Sequence, residues 1–429
     1  MAVLTLDGGT LSRRGSTSSY MYISVDVYFP SMSTPKVRLR INPGGTLTPA
    51  EVVGREAFIA HAWEAVDRQN LMITAERRMG KTSVLLKLEA EPPARTLVIR
   101  RSLQGITSPD EFARFLVADV EKADPGLLKK SIGARFAKAG IKSIGSNPLS
   151  VEFFPATDRS WKDVVTEVFA ALEKDVDERV VLLWDELPQM IADIRDNQSR
   201  LVAREVLDLL RALRETYLSV RMVLSGSLGI HHVVADLRIG GGMWVPTHDM
   251  RPVDLPSLSR FDATYLAAEL LRNEGIKCDD VDSVAEAIAV EVDEIPYYVH
   301  QTALQIQNSQ RGGRCEVVDT AAVGRIVDEA INDPLDAWEL GHYVARTPVY
   351  YGTDAALVNR ILDIVAAASE PISATEIRSR LAAFAPPPSA ERLHELLELL
   401  CKDYYLQPKP AYTFLRTLVR RAWIAKRPT

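Results

Sequence analysis

Cysteine is scarce in this chain of 429 residues, which contains only Cys278, Cys315 and Cys401. Three cysteines placed far apart argue against a disulfide framework and against a cysteine zinc cluster. No segment has the roughly 18 consecutive apolar residues of a membrane span. The first 30 or so residues also lack the apolar core of a signal peptide. These absences predict a protein of the reducing cytoplasm with no membrane anchor.

A strong charge of one sign is also absent. The chain has 51 Lys and Arg residues against 57 Asp and Glu residues, which gives a formal net charge of −6. Proteins that coat nucleic acids are usually strongly basic, so any contact with DNA must be local. Hydrophobic residues make up 47% and charged residues 25% of the chain, as in ordinary soluble proteins. The length allows two to four domains.

The stretch NLMITAERRMGKTSVLLKL, residues 70–88, has the order of a strand, a tight loop and a helix. Backbone N–H groups of such a loop, together with the helix N-terminus, form an anion site. Gly80 would let phosphates approach the backbone, Lys81 would reach the β- and γ-phosphates, and Thr82 would join the Mg²⁺ shell. Ala75 stands where the motif usually has glycine. The stretch therefore predicts a nucleotide-binding loop with one tolerated departure.

A second motif follows about a hundred residues later, in the stretch ERVVLLWDELPQM. A continuous apolar run at 180–184 predicts a strand buried on both faces, which is typical of a parallel sheet covered by helices. Asp185 and Glu186 follow this strand, where open α/β sheets bind ligands. We expect Asp185 to hold Mg²⁺ and Glu186 to orient or deprotonate an attacking water.

A third apolar run, in VRMVLSGSLGI, ends in Ser225 and Ser227. These hydroxyls are candidate sensors of the γ-phosphate or of the attacking water. Strand-to-loop turn chemistry explains the same residues equally well. The sequence leaves the two alternatives open.

Four regions follow from this pattern: a weakly ordered leader at 1–47, an α/β P-loop core at 48–255, an α-helical lid at 256–350 and a winged-helix domain at 351–429. The last region has the outline helix, helix, helix, hairpin and a basic terminal helix. Between the core elements, a lysine-rich helix predicted near residues 129–142 presents either a solvated face or a patch for a polyanion.

Taken together, VVGRE, RRMGKTS, LLWDELP, LSGSLGIHHV, IPYYVHQ and the C-terminal region resemble the STAND-type branch of AAA+-related P-loop ATPases, many of which carry a winged helix. The resemblance implies that Gly54 and Arg55 lie near the adenine and ribose and that Pro296 packs on the base. The sequence departs from the family in having no clear sensor arginine in the lid helix, where His300 follows Pro296, and no assignable arginine finger. The implied nucleotide-binding set comprises Gly54, Arg55, Ala75, Glu76, Arg77, Arg78, Met79, Gly80, Lys81, Thr82, Ser83 and Pro296.

Three functions fit these observations. The first is a slowly hydrolysing ATPase switch in which ATP and Mg²⁺ control the winged helix and assembly with a protein partner or further copies of the chain. The second is a helper ATPase that assembles on DNA, as origin-recognition or transposition ATPases do. The third is a protein-interaction module whose winged helix does not bind DNA.

The terminal region 355–429 contains eleven basic and seven acidic side chains, so it is only mildly basic. The predicted recognition helix, ERLHELLELL, carries three glutamates, which suit a DNA groove poorly. Arg416, Arg420, Arg421 and Arg427 would supply any DNA contact. Charge alone leaves DNA binding and protein binding as alternatives.

Overall fold

A computed structural model describes residues 37–128, 160–176, 178–226, 229–238, 244–384, 386–407 and 410–427. The described residues from Arg38 onward belong to one compact unit. Ser227 and the lysine-rich segment near 129–142 lie outside the described residues. Of the helices described, none is both long enough and apolar enough to cross a membrane.

Five parallel strands form the central sheet, in the order β2-β3-β4-β1-β5. They are β1 (Leu71–Thr74), β2 (Thr96–Ser102), β3 (Arg179–Asp185), β4 (Val220–Ser225) and β5 (Arg251–Asp254). The strand before the phosphate loop, β1, is therefore separated from β3 by β4. Because all five strands run in the same direction, Thr74, Asp185 and Ser225 end at the same edge of the sheet.

Helices connect and cover these strands. Those of the core are α1 (Glu56–Val66), α2 (Lys81–Ala90), α3 (Pro109–Ala123), α4 (Trp161–Asp175), α5 (Leu187–Asn197), α6 (Arg200–Thr216) and α7 (Ile230–Asp236). A helical region follows with α8 (Arg260–Asn273), α9 (Val281–Glu291), α10 (Pro296–Arg311), α11 (Thr320–Asn332), α12 (His342–Ala345) and α13 (Thr347–Tyr351). The C-terminal region contains α14 (Ala355–Ala367), α15 (Ala374–Leu381), α16 (Ala390–Lys402) and α17 (Thr417–Lys426).

The two faces of the sheet pack into two separate hydrophobic clusters, because successive strand residues point to opposite faces. Val181 and Leu183 of β3 join the cluster that contains α1, α2 and the helical and C-terminal regions. Val180, Leu182 and Trp184 join the cluster formed with α3 to α6. Every residue of β3 after Arg179 is buried. The predicted strand that is apolar on both faces is thus the centre of the core.

Antiparallel bridges pair Ile372 with Tyr412 and Leu406 with Phe414 in the C-terminal region. The bridged residues lie before α15 and between α16 and α17. The terminal helix packs through Leu418, Val419 and Trp423, which are buried.

Three elements differ from the sequence expectation. Strand β5 was not predicted from the sequence. Its four residues include Pro252, which suits an edge strand and interrupts the apolar run expected of a buried strand. Helix α5, which begins directly after Glu186, was not among the elements predicted from the sequence. Residues 38–47, expected to belong to a weakly ordered leader, instead pack on the helical region. Leu39 is buried, and the backbone N–H of Asn42 donates to His300 Nδ1 at 3.3 Å.

Candidate functional site

The phosphate loop runs from residue 75 to residue 80, between β1 and α2. Gly80 caps α2 with φ 86° and ψ 32°, a left-handed conformation that favours glycine. The nearest atom to a Cβ added there is Ser83 Cβ at 4.0 Å, so backbone geometry rather than crowding requires glycine at this position. Arg78 also has a positive φ of 74°. The loop therefore places two left-handed residues just before the helix.

Lys81 is buried beneath this loop. Its Nζ donates to the carbonyl oxygens of Ala75 at 3.0 Å and Glu76 at 3.1 Å. Burial lowers the pKa of Lys81, while the nearby carboxylates of Glu186 and Asp185 oppose that shift. The Lys81 amine, from the residue after the C-terminal end of the loop, thus bonds to the two residues at the N-terminal end of the loop.

Asp185 accepts three hydrogen bonds at the end of β3. Thr82 Oγ1 donates to Oδ2 at 2.7 Å, while the backbone N–H of Glu186, at 3.1 Å, and the Ser225 hydroxyl both donate to Oδ1. Glu186 itself has φ 60°, a conformation that is strained for a residue with a side chain. Strain of this kind is common at functional sites, and here it turns Glu186 away from Asp185 at the start of α5.

One cavity of about 490 Å³ unites these elements. Its lining includes ten of the residues expected at the nucleotide: Arg55, Arg77, Arg78, Met79, Gly80, Lys81, Thr82, Ser83, Glu186 and Pro296. Residues that we did not expect also line it, among them Asn42, Thr46, Tyr297 and His300. The volume lies within the usual range for small-molecule sites.

Five expected site residues lie outside this lining. Gly54 packs on Asp262, and Asp185 and Ser225 lie behind Thr82, where they hold each other. Ala75 and Glu76 line a second cavity, of about 330 Å³, on the opposite side of the loop. The Ser225 hydroxyl donates a hydrogen bond to the Asp185 carboxylate.

Arg55 supports the loop from the core side. Its guanidinium donates to the carbonyl oxygen of Met79 at 2.8 Å and to that of Pro256 at 2.9 Å. Burial lowers the pKa of Arg55 to about 10, and Asp262 and Glu56 oppose the shift. Arg55 therefore joins the phosphate loop to the segment that leads into α8.

The two loop arginines both pair with Glu339, between α11 and α12. Arg77 lies 3.4 Å from the Glu339 carboxylate, and Arg78 forms the closer ion pair. The Arg78 guanidinium also lies 4.0 Å above the ring of Tyr297. The sequence left the partner of these arginines open because Glu339 is more than 260 residues away.

Glu76 points away from the cavity and is buried. Its carboxylate accepts from the Tyr343 hydroxyl and from Arg416 Nε, the latter at 3.3 Å. Burial raises the pKa of Glu76, and the hydrogen bond from Tyr343 and the charge of Arg416 oppose it. The phosphate loop therefore contacts the terminal region directly, through a residue that the sequence placed at the nucleotide.

Comparison with known proteins supports the fold. No protein-family model and no curated protein matches the chain. The solved structure of the Walker-type ATPase PABY2304 of Pyrococcus abyssi matches with a TM-score of 0.58 and 17% identity, covering 90% of this chain and 98% of that chain. This chain has the fold of a P-loop ATPase. The comparison confirms the expected α/β fold of a P-loop NTPase core and does not distinguish the STAND branch.

Two further structures match over most of their length. The ORC2 protein of Aeropyrum pernix has a TM-score of 0.46 at 12% identity, covering 89% of this chain and 96% of that chain. The Holliday junction branch migration motor RuvB of Thermotoga maritima has a TM-score of 0.38 at 12% identity, covering 86% and 94%. At these scores neither likeness carries a functional argument.

The residues present fit a Mg²⁺ ion of the kind that P-loop ATPases use. Thr82 and Asp185 offer oxygen atoms, which Mg²⁺ prefers, and they are already within hydrogen-bond distance of each other. The donors from Ser225 and Glu186 orient the Asp185 carboxylate.

Gly54 provides a test of whether its role is structural. It has φ +68°, and an added Cβ would lie 2.6 Å from Asp262 Cβ. Gly313 has the same φ and nothing within 4 Å of an added Cβ. We expect Gly313→Ala to cost about 1 kcal/mol of stability and Gly54→Ala to cost about 2 kcal/mol more, because it adds a steric clash to the same backbone strain.

Chemical unfolding of both variants measures the difference in stability, and titration with ATP measures the affinity of each variant for the nucleotide. Equal costs for the two substitutions would contradict the packing of Gly54 on Asp262. A folded Gly54→Ala protein that has lost ATP binding would place Gly54 at the nucleotide.

His300 makes the stability of the protein sensitive to acid. Burial lowers its pKa from 6.5 to about 4, so at pH 5 the unfolded chain holds a proton on this residue that the folded chain does not. Stability is therefore lost as the pH falls from about 6.5 towards 4. Between pH 7 and pH 5 we expect the loss to be about 2 kcal/mol smaller in His300→Gln than in the wild type.

Urea unfolding at the two pH values measures this change, with the exposed His248→Gln as the control. The control should keep the loss of the wild type. If His300→Gln loses as much stability between pH 7 and pH 5 as the wild type does, His300 is protonated as readily in the folded protein as in the unfolded chain.

Proposed function

We propose that this protein is a slowly hydrolysing ATPase that acts as a nucleotide-dependent switch, controlling a C-terminal winged-helix domain and its assembly with partners. The observation that carries the proposal is the cavity of about 490 Å³. It joins the phosphate loop and Glu186 of the core to Pro296 and His300 of helix α10. A ligand in this cavity would contact both the α/β core and the helical region, which would then act as its lid.

The lining suits a nucleoside triphosphate. The loop N–H groups, the N-terminus of α2 and Lys81 supply positive potential for phosphates. Val53, Leu258, Leu266 and Pro296 supply apolar surface on which a base can pack. Displacement of Lys81 Nζ from two carbonyl oxygens onto phosphate oxygens would replace neutral acceptors by charged ones, which form the stronger hydrogen bonds.

Hydrolysis would use the two carboxylates for different tasks. Thr82 and Asp185 would hold Mg²⁺, which supplies neutralisation of the charge on the β- and γ-phosphates. Glu186, which lines the cavity, would align a water for attack on the γ-phosphorus and accept its proton as the bond to the bridging oxygen breaks. ADP and inorganic phosphate are the products.

Contacts of the phosphate loop with the helical and C-terminal regions support the switch. Glu76 is bonded to Tyr343 and Arg416, and Arg77 and Arg78 are paired with Glu339. A change in loop conformation on binding or loss of the γ-phosphate would alter these ion pairs. Such a change biases the docking of the C-terminal region, which is how a nucleotide state can reach a distant domain.

The DNA-binding alternative receives no support from the terminal helix. Arg421 pairs with Glu291 and Asp328, Arg427 pairs with Asp363, and Arg416 contacts Glu76. Arg420 donates to the carbonyl oxygens of Ala366 and Ala368. All four arginines that we expected to contact DNA are therefore engaged inside the protein in this arrangement, which favours a protein partner or further copies of the chain.

Lys81→Ala should weaken ATP binding about 100-fold, because it removes the buried cation from an otherwise backbone-lined site. Fluorescence titration with a labelled ATP analogue measures the affinity. Lys162→Ala, which removes a surface lysine paired with Glu205, is the matched control and should bind as the wild type does. Affinity within about threefold of the wild type in Lys81→Ala would place the phosphates elsewhere.

Glu186→Gln should slow hydrolysis by about 100-fold or more while ATP still binds, because the amide keeps the size but cannot polarise the water. Asp185→Asn is the contrasting variant and should lose the Mg²⁺-dependent part of the affinity. Single-turnover hydrolysis and equilibrium binding separate the two effects.

The same Glu186→Gln protein should remain in its ATP state, so its size and protease sensitivity should match those of the wild type with a non-hydrolysable analogue. Hydrolysis by Glu186→Gln at the wild-type rate would exclude this carboxylate from the reaction. Identical behaviour with ADP and with the analogue would remove the switch.

A further inference from the structure

Two histidines and one aspartate converge at the contact between the core and the C-terminal region. His231 and His232 lie on α7, and Asp403 follows the end of α16. His231 Nε2 lies 3.0 Å from Asp403 Oδ1, and His232 Nε2 lies 2.9 Å from each carboxylate oxygen. Within the described part of the chain, this is the group of three or more His, Cys, Asp and Glu side chains whose donor atoms lie close enough together to share one metal ion.

The donor atoms suit a divalent transition metal. Two imidazole nitrogens and one carboxylate oxygen form a ligand set typical of zinc and related ions. Tetrahedral Zn²⁺ with bonds of about 2.0–2.1 Å places its ligand atoms about 3.3 Å apart. The observed separations of 2.9–3.0 Å between nitrogen and oxygen atoms need to open by only a few tenths of an ångström.

Surrounding residues hold these three side chains in place. The Tyr351 hydroxyl donates to Asp403 Oδ2, and Arg346 donates to the Asp403 carbonyl oxygen at 2.9 Å. The His232 ring packs 4.6 Å from the ring of Tyr350. Partners that orient metal-binding carboxylates and imidazoles in this way are a regular feature of metal sites.

Gly229 gives His231 its position. A Cβ at residue 229 would lie 2.5 Å from His231 Cε1 and 3.0 Å from its Nδ1. The imidazole therefore packs directly on the glycine backbone, which leaves its Nε2 facing Asp403.

The group is reachable from solvent on two sides. His231 and Asp403 line the cavity of about 330 Å³ behind the phosphate loop. His232 lines another, of about 750 Å³, between α5, α7 and the segment 342–352. An ion held by the three side chains therefore has room for water as a fourth ligand, as in open three-ligand sites.

We propose that His231, His232 and Asp403 form a binding site for a divalent transition-metal ion of the zinc class, which fastens the C-terminal region to the core. The site is distinct from the Mg²⁺ position at Thr82 and Asp185, because it uses nitrogen ligands and lies behind the phosphate loop. Its ligands come from two regions that are 171 or more residues apart, so the bound ion would stabilise their docking.

Calorimetric titration of Zn²⁺ into the full, tag-free chain tests the proposal, with Mg²⁺ in excess to fill the site at Thr82. We expect one ion per chain with a dissociation constant of about 1 µM or tighter. Co²⁺ in place of Zn²⁺ should give the strong visible absorption of a site with four or five ligands. A hundredfold excess of Zn²⁺ over the dissociation constant should raise the Tm by about 3 °C.

His231→Asn and His232→Asn should each weaken Zn²⁺ binding at least about 100-fold and abolish the rise in Tm. The exposed His248→Asn is the matched control and should retain both. Because the two histidines are partly exposed, these variants should fold even where Asp403→Asn does not. Absence of saturable binding, or unchanged binding in the histidine variants, would show that the three residues form only a hydrogen-bonded cluster.

Discussion

The buried carboxylate of Glu76 joins the phosphate loop to both the helical and the C-terminal regions. It lies in the phosphate loop and is bonded to Tyr343 and Arg416, from two regions far along the chain. A buried charge is tolerated only with partners, and removal of one partner from such a pair costs about 3–5 kcal/mol. The loop can therefore keep this conformation only while the helical and C-terminal regions are docked against the core.

The residues of the phosphate loop line two different cavities. On one side Lys81, Thr82 and Gly80 line the cavity of about 490 Å³. On the other side Ala75 and Glu76 line the cavity of about 330 Å³, together with Arg346 and Asp403. A loop of six residues is too short for its sides to move independently, so any ligand that displaces Lys81 from the carbonyls of Ala75 and Glu76 acts on both sides at once. The glycine that most P-loops carry at position 75 would only loosen this connection.

The sequence predicted what depends on neighbours along the chain. The strand of β3 followed from its continuous apolar run, and the loop before α2 followed from Gly80, Lys81 and Thr82 because each residue type has a direct chemical role. Contacts between residues far apart along the chain could not be predicted from a local sequence pattern. Glu339, Tyr343 and Arg416 carry no motif that would connect them to the loop before folding brings them there. The hydrogen bond from Ser225 to Asp185 likewise could not be predicted from the sequence.

Asp185 and Glu186 are adjacent acidic residues with different surroundings. Three donors satisfy its carboxylate, and they hold it behind Thr82 as an acceptor of fixed orientation. Glu186 leaves the strand with φ 60°, which turns its side chain towards the cavity instead. Residues that alternate along a regular strand would point to opposite faces of the sheet. The left-handed turn at Glu186 keeps both carboxylates at the same edge, one beside Thr82 and the other facing the cavity. In the proposed mechanism, this strained turn would assign ion binding and water activation to two residues joined by a single peptide bond.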